Sequence, residues 1–178
     1  MASYTLHVAG LTRELPICPV SDQLDIAAFI MLSDVELTVA CAKELAEKLS
    51  PCDVLLTAEC KGIPLAYEMA RQMGIPYVVA RKSTKLYMRD PICVEVQSIT
   101  TSAKQVLYLD ADACALLRGK RVAIIDDVIS TGESLQALLA LADRAGGEVA
   151  AKAAVLAEGD AAKREDILFL QELPLFFH

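Results

Sequence analysis

The most strand-like run in the chain leads straight into two acids and a turn rich in hydroxyl groups: Val122-Ala123-Ile124-Ile125-Asp126-Asp127-Val128-Ile129-Ser130-Thr131-Gly132-Glu133-Ser134. Four consecutive apolar side chains are typical of a strand that is buried on both faces of a parallel sheet. The small residues after the acids favour a turn into a helix, which we expect over residues 132–145, ended by Gly146-Gly147. A buried strand followed by a helix indicates an α/β unit.

The remainder of the chain repeats this alternation of strands and helices. Short apolar runs predict strands at residues 54–56, 77–80, 92–96, 106–109, 149–155 and 167–170, the fifth of them starting at Glu148. Helices are predicted at residues 63–73, closed by Gly74, and as a short turn at residues 112–117. Continuous apolar strands between helices predict a central, mainly parallel sheet that is flanked by helices.

A further helix is predicted to start at Ser33-Asp34-Val35-Glu36, which has the form of a capping box in which Glu36 reaches back to the first free amides. Its apolar stripe runs to Leu49, and Ser50-Pro51 ends it. Before it, residues 11–29 contain two prolines and predict strands or loops. We expect a single domain over residues 1–178, with its core over about residues 34–178.

Length and composition limit the class of protein. The chain has 178 residues, of which 54% are hydrophobic and 23% charged, so it fits a folded domain with a buried core and excludes intrinsic disorder. The longest uncharged apolar run, residues 26–33, is too short to span a bilayer, and the first residues lack the pattern of a signal peptide. A net charge of −7 and a pI near 4.8 argue against a nucleic-acid partner.

Cysteine and histidine usage narrows the chemistry further. None of the six cysteines forms a C-x-x-C pair, so we expect free thiols in a reducing cytoplasm. His7 and His178 are the only histidines, which argues against a histidine-rich metal site and against a Ser-His-Asp triad.

The turn after the apolar strand has the chemistry of a phosphate site. Free amides at a helix N-terminus bind anions, and the hydroxyls of Ser130, Thr131 and Ser134 add donors. The two carboxylates are paired acceptors suited to the vicinal hydroxyls of a ribose. An Asp that only caps the next helix would explain one acid, but not two acids beside this turn. The chain has neither G-x-x-x-x-G-K-[ST] nor G-x-G-x-x-G, which argues against a P-loop and a dinucleotide site.

This segment resembles the signature of type I phosphoribosyltransferases, which bind 5-phosphoribosyl-1-pyrophosphate (PRPP). The resemblance implies the type I phosphoribosyltransferase fold, with a small N-terminal hood over about residues 1–33, and it implies that Asp126 and Asp127 hold the ribose hydroxyls. The residues that it implies for the 5-phosphate are Ser130, Thr131, Gly132, Glu133 and Ser134. Glu133 stands where the family usually has Gly, so its side chain must turn away while its amide binds.

A second segment, Ala58-Glu59-Cys60-Lys61-Gly62, lies between a predicted strand and a predicted helix and is similar to the family's pyrophosphate-binding loop. Gly62 lets the backbone approach closely, and Lys61 supplies a cation. The family's loop often holds a cis peptide. Cys60 is expected to be a tolerated small residue, since no histidine is available to activate it.

A third segment, Arg81-Lys82-Ser83-Thr84-Lys85-Leu86, follows the next strand, and residues 81–89 hold four basic residues and no acid. An exposed loop would explain this polarity but not the one-sided charge. The segment is similar to the Arg-Lys-x-x-Lys stretch of purine phosphoribosyltransferases, which contacts pyrophosphate and leads into a lid. The resemblance assigns Lys61, Arg81 and Lys85 to stabilising the leaving pyrophosphate in catalysis. Its further pyrophosphate contacts are Glu59, Cys60, Gly62 and Lys82.

The resemblance implies transfer of ribose 5-phosphate from PRPP to a purine, with adenine as the expected base and AMP as the product. Its candidate base contacts are Arg13, Phe29 and Glu158, although Phe29 also fits a core position and Glu158 an exposed strand end. Adenine enzymes have a Glu in the lid where the matching stretch, Ser98-Ile99-Thr100-Thr101, has Thr100; Glu95 lies nearby. A 6-oxopurine (xanthine or guanine) enzyme and a non-catalytic PRPP-sensing regulator are the alternatives.

The resemblance also implies Mg²⁺ as the cofactor. We expect the ion to bridge PRPP oxygens, with no dedicated protein ligands beyond Asp126 and Asp127. The expected partners are PRPP, a purine base and a second copy of the chain, with neither nucleic acid nor membrane. The negative net charge does not contradict a phosphorylated substrate, because the basic residues are concentrated where three strand ends should converge.

Overall fold

Strands and helices alternate through most of the chain, as the apolar runs predict. The computed structural model describes residues 2–97 and 104–178. Within these ranges the elements are, in chain order, β1 (Ser3–Val8), β2 (Leu11–Ser21), β3 (Leu24–Ala27), α1 (Val35–Lys48), β4 (Val54–Ala58), α2 (Ile63–Met73), β5 (Tyr77–Ala80), β6 (Ile92–Gln97), β7 (Lys104–Leu109), α3 (Ala111–Leu117), β8 (Arg121–Ile129), α4 (Glu133–Arg144), β9 (Glu148–Glu158), a 3₁₀ helix (Gly159–Lys163), β10 (Leu168–Leu173) and β11 (Leu175–Phe177).

The central sheet has five parallel strands in the order β10-β9-β8-β4-β5. Its middle strands are apolar at consecutive positions because both of its faces are covered. Leu55 packs on the face covered by α1 and α2, and Leu56 packs on the face covered by α4. The predicted α/β fold, with a mainly parallel sheet flanked by helices, is confirmed.

The start of α1 differs from the predicted capping box. Asp34 is the N-cap, since its Oδ1 accepts a hydrogen bond of 3.0 Å from the Leu37 N–H, whereas Ser33 has a φ of +71°. Glu36 accepts a hydrogen bond of 2.7 Å from Nη2 of Arg13, which lies in β2. The guanidinium carries a full charge and the backbone amide only a dipole, so Glu36 turns to Arg13.

A second, four-stranded sheet of order β1-β2-β3-β11 packs with α1 and α2 on one side of the central sheet. All of its strand pairs are antiparallel. The sequence patterns did not predict β11, which pairs Leu175 with Ile26 of β3. We call this sheet and the segment up to Ser33 the hood; it is built from both ends of the chain.

β6 and β7 form an antiparallel two-stranded sheet. It joins the rest of the fold through Arg81, whose backbone N–H and C=O bond to Tyr108, and through Arg144 of α4, whose Nη1 donates to the Cys93 carbonyl at 2.8 Å. Residues 98–101, the stretch matched to the lid, lie outside the described residues. In the part of the chain that the structure describes, no helix combines the length and the apolar character needed to cross a membrane.

Candidate active site

The two acids lie inside β8 rather than at its end, because this strand continues to Ile129. Beyond Ile125 it remains paired with β9, with Asp126 opposite Ala154. β4 pairs with the first part of β8, then ends, and the chain continues through a short loop into α2. The chain winds outward in opposite directions from β4 and β8, so the acids stand at the switch point where ligands of parallel sheets bind.

The acid pair is held side by side in the floor of this crevice. Asp127 is 3% exposed, and its backbone N–H donates to Asp126 Oδ1 at 2.9 Å. Lys61 Nζ lies 3.1 Å from Asp127 Oδ2, but among the described residues no donor is aligned for a hydrogen bond to that oxygen. Burial, and then the charge of Asp127, raise the pKa of Asp126 above its ordinary value. The pair can therefore accept further donors or a cation.

The turn between β8 and α4 encloses a cavity of about 140 Å³. Its lining includes every residue expected to wrap the 5-phosphate: Ser130, Thr131, Gly132, Glu133 and Ser134. Gly132 has a φ of +83° and is the N-cap of α4. Because glycine has no side chain, the N-cap residue itself gives the first turn no side-chain capping hydrogen bond. A helix start of this kind offers backbone N–H groups to an anion.

The loop after β4 is joined to the basic loop after β5. Glu59 Oε2 accepts a hydrogen bond of 2.9 Å from the Lys82 backbone N–H, and Glu59 Oε1 lies 3.3 Å from Arg81 Nη2. The Lys82 amide, and then the charge of Arg81, lower the pKa of Glu59. Glu59 thus braces two loops and keeps basic residues at the crevice.

The same loop passes very close to the acids. A Cβ on Gly62 would overlap Thr57 Oγ1 and come within 3.3 Å of Asp126 Oδ1, so this position requires glycine. The Glu59–Cys60 peptide bond is cis. The loop and the acids line a cavity of about 340 Å³ together with Cys60, Lys61 and Lys82. Lys85 Nζ, by contrast, donates to Ser83 Oγ at 2.8 Å.

A third cavity, of about 430 Å³, lies between the hood and the carboxyl ends of β8 and β9. Phe29 and Glu158 line it, and Phe29 is 4% exposed, so its ring is a buried part of the wall. Arg13 is placed elsewhere, with Nε 2.7 Å from Asp34 Oδ2 and Nη2 2.7 Å from Glu36 Oε2. The structure thus brings together two of the three expected base contacts.

The three cavities form one cleft, because they share lining residues. Val128 lines all three, Asp126 and Ser134 line the first two, and Lys61 lines the second and third. Sequence reasoning did not single out Val128; its place directly after the two acids was the available signal. The cleft can hold an elongated ligand with an anionic group at each end and a flat apolar group at one side.

The chain matches the phosphoribosyl transferase domain over residues 32–173, which is most of its length. The protein therefore belongs to the phosphoribosyl transferase family, and the resemblance seen in the sequence is confirmed.

Named relatives act on different purines. The hypoxanthine/guanine phosphoribosyltransferase of Methanococcus voltae is 37% identical over 108 residues, which are 61% of this chain and 54% of that protein. That of Methanocella arvoryzae is 31% identical over 145 residues, 82% of this chain and 70% of the relative. The xanthine phosphoribosyltransferase of an Exiguobacterium species is 34% identical over 133 residues, 72% and 68% of the two chains. The match to the Methanococcus protein thus spans about half of that relative.

Solved structures share the fold. Adenine phosphoribosyltransferase from Thermoanaerobacter pseudethanolicus superposes with a TM-score of 0.69 at 24% identity, covering 80% of this chain and 84% of that one. The enzyme from Saccharomyces cerevisiae also gives 0.69, at 20% identity, with coverages of 88% and 93%. These likenesses confirm the type I phosphoribosyltransferase fold.

Proposed function

We propose that this protein is a purine phosphoribosyltransferase, which transfers ribose 5-phosphate from PRPP to a ring nitrogen of a purine and releases pyrophosphate. The observation that carries the proposal is the single cleft, whose three parts meet at Val128, directly beside the Asp126–Asp127 pair. PRPP carries a phosphate and a pyrophosphate on one ribose, and the incoming base is a flat aromatic ring system with polar edges. This arrangement of groups matches the arrangement of the cavities.

Stabilisation of the leaving pyrophosphate is the main catalytic effect in this proposal. Lys61 and Lys82 line the pyrophosphate cavity, and Arg81 and Lys85 belong to the adjoining loop. Negative charge grows on the pyrophosphate as its bond to the ribose breaks, so fixed cations stabilise the transition state more than the ground state. The acid pair orients the ribose through its hydroxyls, and no side chain has to act as a nucleophile.

Mg²⁺ fits the acid pair as a companion of PRPP. Over the described ranges there is no group of three or more potential metal-binding side chains, while the buried Asp127 Oδ2 lacks an aligned donor. Carboxylate oxygens suit this hard cation, which takes most of its ligands from water and phosphate. When bound, the ion would neutralise charge on the pyrophosphate, and Asp126 and Asp127 are its proposed protein contacts.

The base is proposed to be a 6-oxopurine, with adenine as the second candidate. The relatives that match over 72% and 82% of this chain are named for xanthine and for hypoxanthine and guanine, which favours the 6-oxopurine. Adenine, the base expected from the sequence, is favoured by Glu158, because a carboxylate in the base cavity can accept from an exocyclic amine.

Pyrophosphate release in the presence of PRPP and Mg²⁺ tests the proposal. The protein is offered adenine, hypoxanthine, guanine and xanthine in turn, with uracil as the non-purine control. Release with at least one purine and none with uracil supports the proposal and identifies the base. No release with any base contradicts it, and PRPP binding without release would favour a PRPP-sensing regulator.

We also propose a cytoplasmic homodimer, as the resemblance implies. Val35, Val39 and Tyr67 expose apolar surface on α1 and α2, of the kind that subunit contacts cover. All six cysteines are free thiols, which fits a reducing compartment. Sedimentation at several concentrations tests the dimer; Tyr67→Glu is expected to shift it towards monomer, and a wild-type monomer at every concentration would contradict it.

A further inference from the structure

The proposed 5-phosphate cavity is lined by the turn itself, residues 128–135, and by Asp126. Asp126 and Glu133 line it, and no Lys or Arg of the described residues does. A phosphate monoester carries about −1.5 to −2 charges at pH 7. Because the described lining offers backbone N–H groups and hydroxyls as its donors, positive charge close behind it would stabilise the phosphate further.

Arg164 stands directly behind this turn. The residue follows the 3₁₀ helix after β9, and a Cβ built on Gly132 would lie 3.1 Å from Arg164 Nη1. The guanidinium therefore contacts the face of the turn that the missing side chain leaves open. Gly132 serves two purposes here, since it adopts a φ of +83° and makes room for a cation.

Two further charged residues fix the position of this guanidinium. Arg164 Nε and Nη2 donate to the two carboxylate oxygens of Asp166 at 2.9 and 2.8 Å, and Lys152 Nζ donates to Asp166 Oδ2 at 2.6 Å. This bidentate contact uses Nε and Nη2 of the guanidinium. The third nitrogen, Nη1, is the one that lies next to Gly132. Two cations around one carboxylate leave a net positive cluster. Arg164 is 29% exposed, so solvent only partly screens its charge.

We propose that Arg164 is a positioning residue for the 5-phosphate: it supports the turn at Gly132 and supplies, through that turn, positive charge that the described lining residues do not provide. The inference rests on the proposed function, because it takes the 5-phosphate of PRPP as the ligand of this cavity. It goes beyond that function by giving a role to the Arg164–Asp166–Lys152 cluster, which lies outside the three segments that resemble the family signature.

Calorimetric binding of ribose 5-phosphate and PRPP, with ribose as the unphosphorylated control ligand, tests the inference. In Arg164→Gln the Kd of both phosphorylated ligands is expected to rise about tenfold, because the positive charge behind the turn is lost. Arg164→Lys keeps the charge without the fork and is expected to lose about threefold. The difference between wild type and Arg164→Gln should shrink as salt is added. In turnover, the KM for PRPP should rise while kcat and the KM for the base stay within about twofold.

Lys163→Gln is the matched control, because it removes the same charge one residue away from an 81% exposed side chain. Its Kd values are expected to equal those of wild type. Unchanged Kd values in Arg164→Gln, or equal losses in Lys163→Gln, would overturn the inference while PRPP binding by wild type leaves the proposed function intact. If wild type binds neither ligand, both fail. If Arg164→Gln does not fold, an unchanged Kd in Arg164→Lys overturns the positioning role.

Discussion

At Gly62 the loop after β4 passes so close to side chains of β4 and β8 that a Cβ would meet two of them. A Cβ there would overlap Thr57 Oγ1, and Thr57 is fully buried. Gly62→Ala is therefore expected to destabilise the protein by about 1–3 kcal/mol through overpacking and to raise the KM for PRPP by displacing the loop. Thermal denaturation and steady-state kinetics measure the two effects.

Thr57→Ala provides the control for that clash, because it removes the atom that the new methyl would meet. The double variant Thr57→Ala/Gly62→Ala is expected to lose less stability than the sum of the single variants. Additive losses would contradict the contact as the reason for glycine.

The acid pair allows a separation of binding from folding. Asp126→Asn/Asp127→Asn keeps the size of both side chains and is expected to abolish PRPP binding, because it removes the charge that orients the hydroxyls and favours a cation. At neutral pH the fold should keep its Tm, since burial and mutual repulsion already disfavour two charges here. Calorimetry and circular dichroism check the two parts. Unchanged PRPP affinity would refute the assignment of these acids to the ribose.

Residues of the site were predictable where a short segment carries its own chemistry. Asp126, Asp127 and the turn from Ser130 lie together in the cleft because one strand and one turn place them, and residue type with local spacing is enough to show that. Arg13, which we expected at the base, lies against Asp34 and Glu36, and the sequence did not single out Arg164. Their positions depend on Asp34, Glu36 and Gly132, which approach only when the sheets form.

At the scale of a single element, α2 contains a carboxylate that accepts three hydrogen bonds from side chains of the same helix. Glu68 is 7% exposed and accepts from Arg71 Nε at 2.9 Å, from Arg71 Nη2 at 2.8 Å and from Gln72 Nε2 at 2.8 Å. These contacts, with Arg71 first, lower the pKa of Glu68 from 4.5 to about 2. A lowered pKa in the folded state means that the contribution to stability is present above pH 4.5 and is lost as the pH falls towards 2.

Glu68→Gln is accordingly expected to lower the Tm at neutral pH by about 2–4 °C, which corresponds to about 1 kcal/mol for a chain of this size. The difference from wild type should shrink as the pH falls below 4.5. Thermal denaturation from neutral to acid pH measures it. Glu47→Gln is the control, since Glu47 is exposed and lies 4.0 Å from Lys43. A difference that stays constant down to pH 3 would contradict the ion-pair origin.

The pattern of apolar residues predicted the central strands well. Consecutive residues such as Leu55 and Leu56 are both apolar because both faces of the central sheet are covered. The pattern failed for β11, which is three residues long and follows Pro174, too short a run for any period to show. The local sequence also did not determine which residue caps α1. Asp34 and Ser33 are both good caps, and the choice between them depends on Arg13 from β2.

At the scale of the whole molecule, the positions of the charged residues say more about possible ligands than the net charge does. The net charge of −7 excludes little about a small phosphorylated ligand, because Lys61, Lys82 and Arg81 gather at one edge of the sheet and Arg164 stands behind the turn at Gly132. A second feature at this scale is that different parts of the fold line different parts of the cleft. The central sheet forms the cavities proposed for PRPP, while β3 and residues 28–30 of the hood line much of the cavity proposed for the base.

That division predicts that the hood can be loosened without loss of the PRPP site. Phe176 of β11 packs edge-to-face on Tyr4, with ring centroids 6.0 Å apart, and its strand pairs with Ile26, which lines the cavity proposed for the base. Phe176→Ala should therefore lower stability by about 2 kcal/mol and raise the KM for the base, while the Kd of ribose 5-phosphate stays unchanged. Phe177→Ala, at a 73% exposed side chain in the same strand, should change neither. Because the two ligands report on different sheets, equal losses for base and ribose 5-phosphate in Phe176→Ala would show that hood and core act as one unit.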